Sequence, residues 1–386
     1  MTGDDPHSHP PPLNPCYPVS REIRHMTQQN ITRTAVIGVG RMGAHHARVY
    51  TELPGSKLVG VVDADPDRRE MIARKHNCQP LPDVESLLKI GVDAVSISVP
   101  TTAHLAAAEP LLRAGVACLI EKPLAPDVAE AEKLRDLAEE TGSTLMVGHI
   151  ERFNPVVRAF RAARETDETG REHELIPRYM EVHRVSPLTF RSIDIGVVLD
   201  MMIHDLDVIL TLVGCEPVDV QASAVSVISE HEDVCNARLT FERPDGREVF
   251  ANVTASRLAV KTERKTRIIG EDFYLSVDYA KKSGVIIRKT ANEQQLVQMR
   301  QAIRSGADLS DLPWEELITR EELTIDDKEP LKLEIEEFLR VVREKTAPEI
   351  NAQAGFAAVR TAERIVEAAK HGLRMPSGDI RALPDL

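Results

Sequence analysis

The stretch Thr34–Leu53, TAVIGVGRMGAHHARVYTEL, decides the fold. It starts as a short β-branched run, turns on glycines and continues with helical character, so it reads as strand, tight turn and helix. Gly38, Gly40 and Gly43 stand in G-x-G-x-x-G spacing, with Arg41 and Met42 inside the turn. The first glycine suits the turn, the second lets a pyrophosphate approach the backbone, and the third lets helix and strand pack closely. The helix start offers free N–H groups and the positive end of its dipole to phosphate. The hexapeptide alone is a weak signal; its place between a strand and a helix strengthens it. Asp63 ends the next strand, KLVGVVDAD (Lys57–Asp65), 20 residues after Gly43. A carboxylate there accepts hydrogen bonds from a ribose diol and repels a 2′-phosphate, which points to NAD as the cofactor rather than NADP. Arg68 and Arg69 nearby leave room for NADP.

Outward from this unit, VDAVSISVP (Val92–Pro100), VACLIEKP (Val116–Pro123) and TLMVGH (Thr144–His149) are further apolar strands. Helical stretches such as DPDRREMIARKH and DVAEAEKLRDLAEETG separate them. Alternating strands and helices predict an α/β fold with a parallel doubly wound sheet over residues 31–152. After Arg152 the strands lengthen and alternate: YMEVHRV, VDVQASAVSVI, CNARLTFE, REVFANVTAS, KTRIIG and FYLSVDY, with turn signals such as PDG. That pattern predicts a second α/β domain over residues 153–386, built on an antiparallel sheet with one helix-covered face. LKLEIEEFLRVVREK and GFAAVRTAERIVEAAKHG close it as two amphipathic helices.

Bulk properties agree with two domains, since 386 residues exceed one ordinary core. A net charge of −13 disfavours nucleic acid as a partner, and no apolar run is long enough for a membrane span. Five cysteines, an odd number without C-x-x-C spacing, give neither a disulfide framework nor a zinc knot and suit reduced thiols in the cytoplasm. Residues 1–30 begin with a proline-rich segment that buries too little to offset its ordering entropy, so a disordered extension is expected. His7 and His9 read as solvated tail residues, and Met26 is a candidate translation start.

Two segments beyond the glycine turn carry chemistry. In IEKPL, Lys122 follows a buried strand at its carboxyl end, where doubly wound sheets bind ligands. A lysine there can hold a substrate hydroxyl; a solvated loop lysine is the plainer alternative. In LDMMIHDLD (Leu199–Asp207), Leu199, Met202, Ile203, Leu206, Ile209, Leu210 and Val213 form an apolar helical stripe. Asp200, His204, Asp207 and Thr211 fall on the other face. Histidine is the natural proton acceptor near neutral pH, and an adjacent carboxylate would orient it and raise its basicity. A solvated polar face is the alternative. No metal is expected, because HDLD lacks a third obvious ligand.

With these motifs in order, the chain resembles the glucose–fructose oxidoreductase, inositol dehydrogenase and rhizopine catabolism (Gfo/Idh/MocA) family. The resemblance runs from about Thr32 to Ala369 and rests on GVGRMGAHHA, SVPTTAH, LIEKPLA, D-x-x-x-H in LDMMIHDLD, and PLKLEIEEFLRVV…GFAAVRTAERI. It implies a Rossmann domain, then an α/β domain with an open, mostly antiparallel sheet whose closing helices return towards the first domain. It implies hydride transfer between a sugar or polyol carbon and nicotinamide. Lys122, Asp200 and His204 would then face the reacting hydroxyl. Pro100, Thr101 and His104 would border the nicotinamide end, with Glu121 beside the cofactor. GHIERFNP (Gly148–Pro155) and FRSIDIGVVLDMMIHDLDVI narrow the similarity to members that oxidise the 3-hydroxyl of UDP-N-acetylglucosamine for a 3-amino lipid A precursor. Arg152, Asn154, Arg184 and Arg191 would then meet the substrate, the arginines as its diphosphate clamp. An inositol or free-sugar dehydrogenase and a non-catalytic NAD-gated module are the competing readings. The family's open sheet implies a homodimer or homotetramer.

Overall fold

A computed structural model describes residues 31–166, 172–189, 195–306, 308 and 317–372. The expectations for residues 1–30 and for Arg191 lie outside these residues. The first sheet contains β1 (Thr32–Ile37), β2 (Ser56–Val62), β3 (Gln79–Leu81), β4 (Ala94–Ile97), β5 (Ala117–Glu121) and β6 (Leu145–Gly148). They run parallel in the order β3-β2-β1-β4-β5-β6, so the chain switches direction across the sheet between β1 and β4. Both faces are covered by helices, which is why β4 is buried throughout and β5 reads ACLIE with only its last residue reaching the edge. The short edge strand β3, QPL, carries too little apolar pattern to be read from sequence.

The second sheet has eight strands. Across the sheet they are Asp219–Val225, Val234–Glu242, Glu248–Ser256, Tyr179–Val185, Glu263–Ile269, Phe273–Asp278, Ser283–Lys289 and Ile318–Glu322. One neighbouring pair, Glu248–Ser256 with Tyr179–Val185, is parallel and the rest are antiparallel. Alternation is clean in Tyr179–Val185, where Met180, Val182 and Arg184 are buried. The helix Ile203–Val213 packs on this sheet's inner core through Leu206, Ile209 and Val213.

The closing segments tie the two cores together. Helix Pro330–Glu344 buries Leu331, Ile335 and Phe338 in the core of the parallel sheet. Helix Ala352–Gly372 gives Phe356 and Val359 to that core, and one to three turns later Ala362, Ile365 and Ala369 to the other. Between the helices, Val147 N of β6 donates to Ile350 O at 2.8 Å, extending the parallel sheet by one bridge. This return brings a charged residue of the closing helix beneath the carboxyl end of β5.

Candidate active site

The turn after β1 has its shape for steric reasons. Gly38 sits at φ +81°, and a Cβ there would lie 2.7 Å from Ser98 O. A Cβ on Gly43 would lie 1.8 Å from Gly38 O, so only glycine lets the helix start cross the turn. Gly40 instead faces open space, with nothing within 4 Å of a would-be Cβ. It is the N-cap of helix Arg41–Glu52 and supplies no side-chain cap, leaving the first-turn N–H groups for another acceptor. Asp63 braces this turn: Oδ2 accepts from Val39 N at 2.7 Å and Oδ1 from Asp65 N at 2.9 Å. Each carboxylate oxygen keeps a second lone pair, which a ribose hydroxyl can use. Ser98 Oγ, buried where β4 ends, has no hydrogen-bond partner among the described residues. Free helix N–H groups, an open glycine, an acidic strand end and an orphaned hydroxyl fit a dinucleotide lying over the switch point.

Lys122 leaves the end of β5 and is joined to Pro123 by a cis peptide bond. Its Nζ donates to Asp200 O at 2.7 Å and approaches Asp200 Oδ1 at 3.3 Å. Residues 78 apart in sequence thus meet, one from each sheet's side of the molecule. Asp200 lies in a π-helical turn, Val198–Met202, that runs directly into helix Ile203–Val213. His204 stands one turn on, its Nδ1 buried without a partner. Burial holds its imidazole well below the usual histidine range, and the neighbouring Lys122, Arg184, His149 and Arg264 push it further the same way. The ring is therefore neutral at physiological pH and able to accept a proton.

A model for an oxidoreductase family with an NAD-binding Rossmann fold matches residues 32–149, and the Gfo/Idh/MocA C-terminal domain matches residues 177–276. UDP-N-acetylglucosamine 3-dehydrogenase of Acidithiobacillus ferrooxidans is 42% identical over 247 residues, 64% of this chain and 74% of that one. The chain belongs to the Gfo/Idh/MocA oxidoreductase family. The solved structure of the A. ferrooxidans dehydrogenase superposes with TM-score 0.75 at 34% identity, covering 89% of this chain and 99% of that one. Inositol 2-dehydrogenase of Rhizobium meliloti is 33% identical over 51% of this chain and 60% of its own. A levoglucosan dehydrogenase in complex with NADH shares the fold, with TM-score 0.72 at 18% identity, over 88% of this chain and 97% of that one. The protein is thus a dehydrogenase whose first domain is of the NAD-binding kind.

Within this Gfo/Idh/MocA frame, several expected roles change. Asp200 makes its contact with Lys122, and the groups that bias the His204 ring are Lys122, Arg184, His149 and Arg264. Arg152 and Arg184 are not a free diphosphate clamp. Arg152 is buried and holds Asp207 through two bonds of 2.7 and 2.6 Å. Arg184, 4% exposed, binds Asp205 at 2.7 and 2.9 Å and Glu151 at 3.0 Å. Guanidinium forks this deep stay with their carboxylates, because an unpaired buried charge is costly. Asn154 is a helix cap: its Oδ1 accepts from Val156 N at 3.0 Å and its Nδ2 donates to Glu151 at 2.9 Å. His104 is buried between two carbonyls, Leu124 O 3.2 Å from Nδ1 and Val99 O 3.1 Å from Nε2, and a neutral ring donates to one of them and braces that loop. Glu121 turns inwards to His46 Nε2 at 2.8 Å. Pro100 and Thr101 begin the turn after β4, and Arg41 and the exposed Met42 begin the helix after β1, on the two sides of the switch point.

Three residues escaped the sequence reading. His46 shares the buried face of its helix with Gly43, Ala47 and Tyr50, a spacing that was legible. His149 follows β6 and is buried; among the described residues neither ring nitrogen has a hydrogen-bond partner, and Nε2 lies 3.9 Å from Asp207 Oδ1. Glu334 occupies a position of the apolar stripe Leu331, Ile335, Phe338, a local conflict visible in the sequence. His46, Glu121 and Glu334 form a cluster of metal-ligand type, their ligating atoms all within 4.8 Å of one another. Cys78, Cys118, Cys215 and Cys235 are free thiols. Among the described residues no helix is long and apolar enough to cross a membrane.

Proposed function

We propose that the protein oxidises the 3-hydroxyl of UDP-N-acetylglucosamine to a 3-keto sugar with NAD⁺, a cytoplasmic step that feeds an aminotransferase in 3-amino lipid A precursor synthesis. The observation that carries the reading is the meeting of Lys122 with Asp200 beside a neutral His204. Similarity to the A. ferrooxidans enzyme supports the substrate.

A bound NAD⁺ supplies the hydride acceptor. His204 takes the hydroxyl proton, the role for which a neutral, unpartnered imidazole is suited. Lys122 donates to the same oxygen and stabilises its developing negative charge, while Asp200 aims the ammonium. Asp63 selects NAD over NADP by repelling a 2′-phosphate. The diphosphate meets Arg264, which lies opposite Arg184 in the sheet register. Its head is 47% exposed and reaches Glu151 only at 3.9 Å, so it is not locked as Arg184 is. The outer face of the second sheet is the proposed contact of a homodimer or homotetramer.

Incubating the protein with NAD⁺ and UDP-N-acetylglucosamine, and following absorbance of the reduced cofactor, tests the assignment. Turnover with myo-inositol or a free sugar but none with the nucleotide sugar would replace it with the second reading, which the inositol 2-dehydrogenase similarity keeps open.

A further inference from the structure

Glu334 is fully buried on the closing helix, and among the described residues neither of its carboxylate oxygens has a hydrogen-bond partner. Its carboxylate lies within 4.8 Å of the His46 and Glu121 side-chain atoms, so two carboxylates and one imidazole are crowded together, His46 and Glu334 buried and Glu121 partly exposed. The imidazole is already committed. His46 Nε2 lies 2.8 Å from Glu121 Oε1, and its Nδ1 lies 2.9 Å from Ser96 Oγ, which in turn lies 2.7 Å from Tyr50 OH. Asp207 of helix Ile203–Val213 also acts on Glu334, and that carboxylate is itself held by Arg152 of the turn Ile150–Phe153. Two like charges this close cannot both be ionised without a cation between them, and the ammonium of Lys122, the residue after Glu121, is spent on Asp200. Burial, Glu121 and Asp207 all act to keep the proton on Glu334.

We propose that Glu334 is a positioning residue for Lys122: as a neutral acid it shares its proton with Glu121 and keeps that carboxylate paired with His46 at the root of the lysine. The closing helix thereby contributes to the site without touching substrate. The catalytic half of this idea rests on the role given to Lys122 above; the protonation half does not.

The test uses the full chain and two variants. Glu334→Gln keeps a neutral donor of the same shape, and Glu334→Leu keeps neutrality without a proton to share. With active enzyme, the Gln variant keeps turnover within about twofold at pH 7. It also removes the alkaline decline of kcat that ionisation of Glu334 causes in the native chain. The Leu variant loses about tenfold in kcat at unchanged KM for NAD⁺. Infrared spectra of the native chain show a buried carboxylic-acid carbonyl band at pH 7 that is missing from both variants. Native and Leu chains with the same kcat, or native and Gln chains with the same pH profile, would overturn the positioning role. Absence of the infrared band, or a stoichiometric divalent metal that Glu334→Gln releases, would overturn the shared proton. The band and the metal analysis need no turnover, so they decide the point even if the nucleotide sugar is not the substrate.

Discussion

Where the parallel sheet borders the site, the recognising groups belong mainly to the main chain: the glycine turn, the uncapped N–H groups after Gly40, and the strand end braced by Asp63. Where helix Ile203–Val213 borders it, the framework is held by side chains locked in buried ion pairs, Arg152 with Asp207 and Arg184 with Asp205 and Glu151. The first side holds its geometry through sterics that few neighbouring residues create. The second holds it through charges brought from three elements, so each member depends on distant ones. Lys122 and Asp200 are where the two kinds of construction touch.

That contrast can be broken experimentally. Lys122→Ala is expected to lower turnover by roughly 10²–10⁴-fold while leaving NAD binding nearly intact, as measured by steady-state kinetics and cofactor titration. Turnover close to native would remove the lysine from the chemistry. Gly43→Ala should act oppositely, because its methyl would collide with Gly38 O at 1.8 Å. Calorimetry should find NAD binding weakened at least tenfold, with the folded second domain retaining its protease resistance.

Arg184→Met attacks the other side. Stranding Asp205 and Glu151 without their guanidinium should cost about 3–5 kcal/mol of stability, read as a lower unfolding midpoint in denaturant. A change below about 1 kcal/mol would mean that the ion cluster is solvated and not structural. Arg264→Ala should instead spare stability and raise KM for UDP-N-acetylglucosamine about tenfold, the scale of one lost charge-assisted contact.

The smallest expected effect concerns pH. The His204 base is active when neutral, and its pKa is lowered by burial and by Lys122. The acid limb of kcat/KM should therefore lie below the ordinary histidine range of about 6.5, activity falling only as pH drops through the depressed value. His204→Gln should abolish that limb. A native limb at or above the ordinary value would assign the titration to another group.

Much of the site was legible without coordinates, and the reason is local. G-x-G-x-x-G, Asp63 and IEKP each act through the residues beside them, and strand–turn–helix alternation places them at one sheet edge. Asp200 and His204 were found through the polar interruption of an apolar stripe. Their partnership was not, because the Lys122 ammonium that claims Asp200 comes from 78 residues away. Arginines flanking a motif look alike whether they await a phosphate or hold a buried carboxylate, so Arg152 and Arg184 were misread until Asp207 and Asp205 were seen against them.

By itself the sequence determined the order of elements, the doubly wound sheet and the glycine cradle, which follow from periodicity, backbone sterics and short-range spacing; Lys122, Asp200 and His204 were assigned to the site through the family resemblance. Only the tertiary structure decided which charges are spent on one another, that His204 is neutral among cations, and that the closing helix brings Glu334 beneath Glu121. Ionic partners in a protein interior are chosen by proximity in space, and the strength of each choice depends on how completely water is excluded.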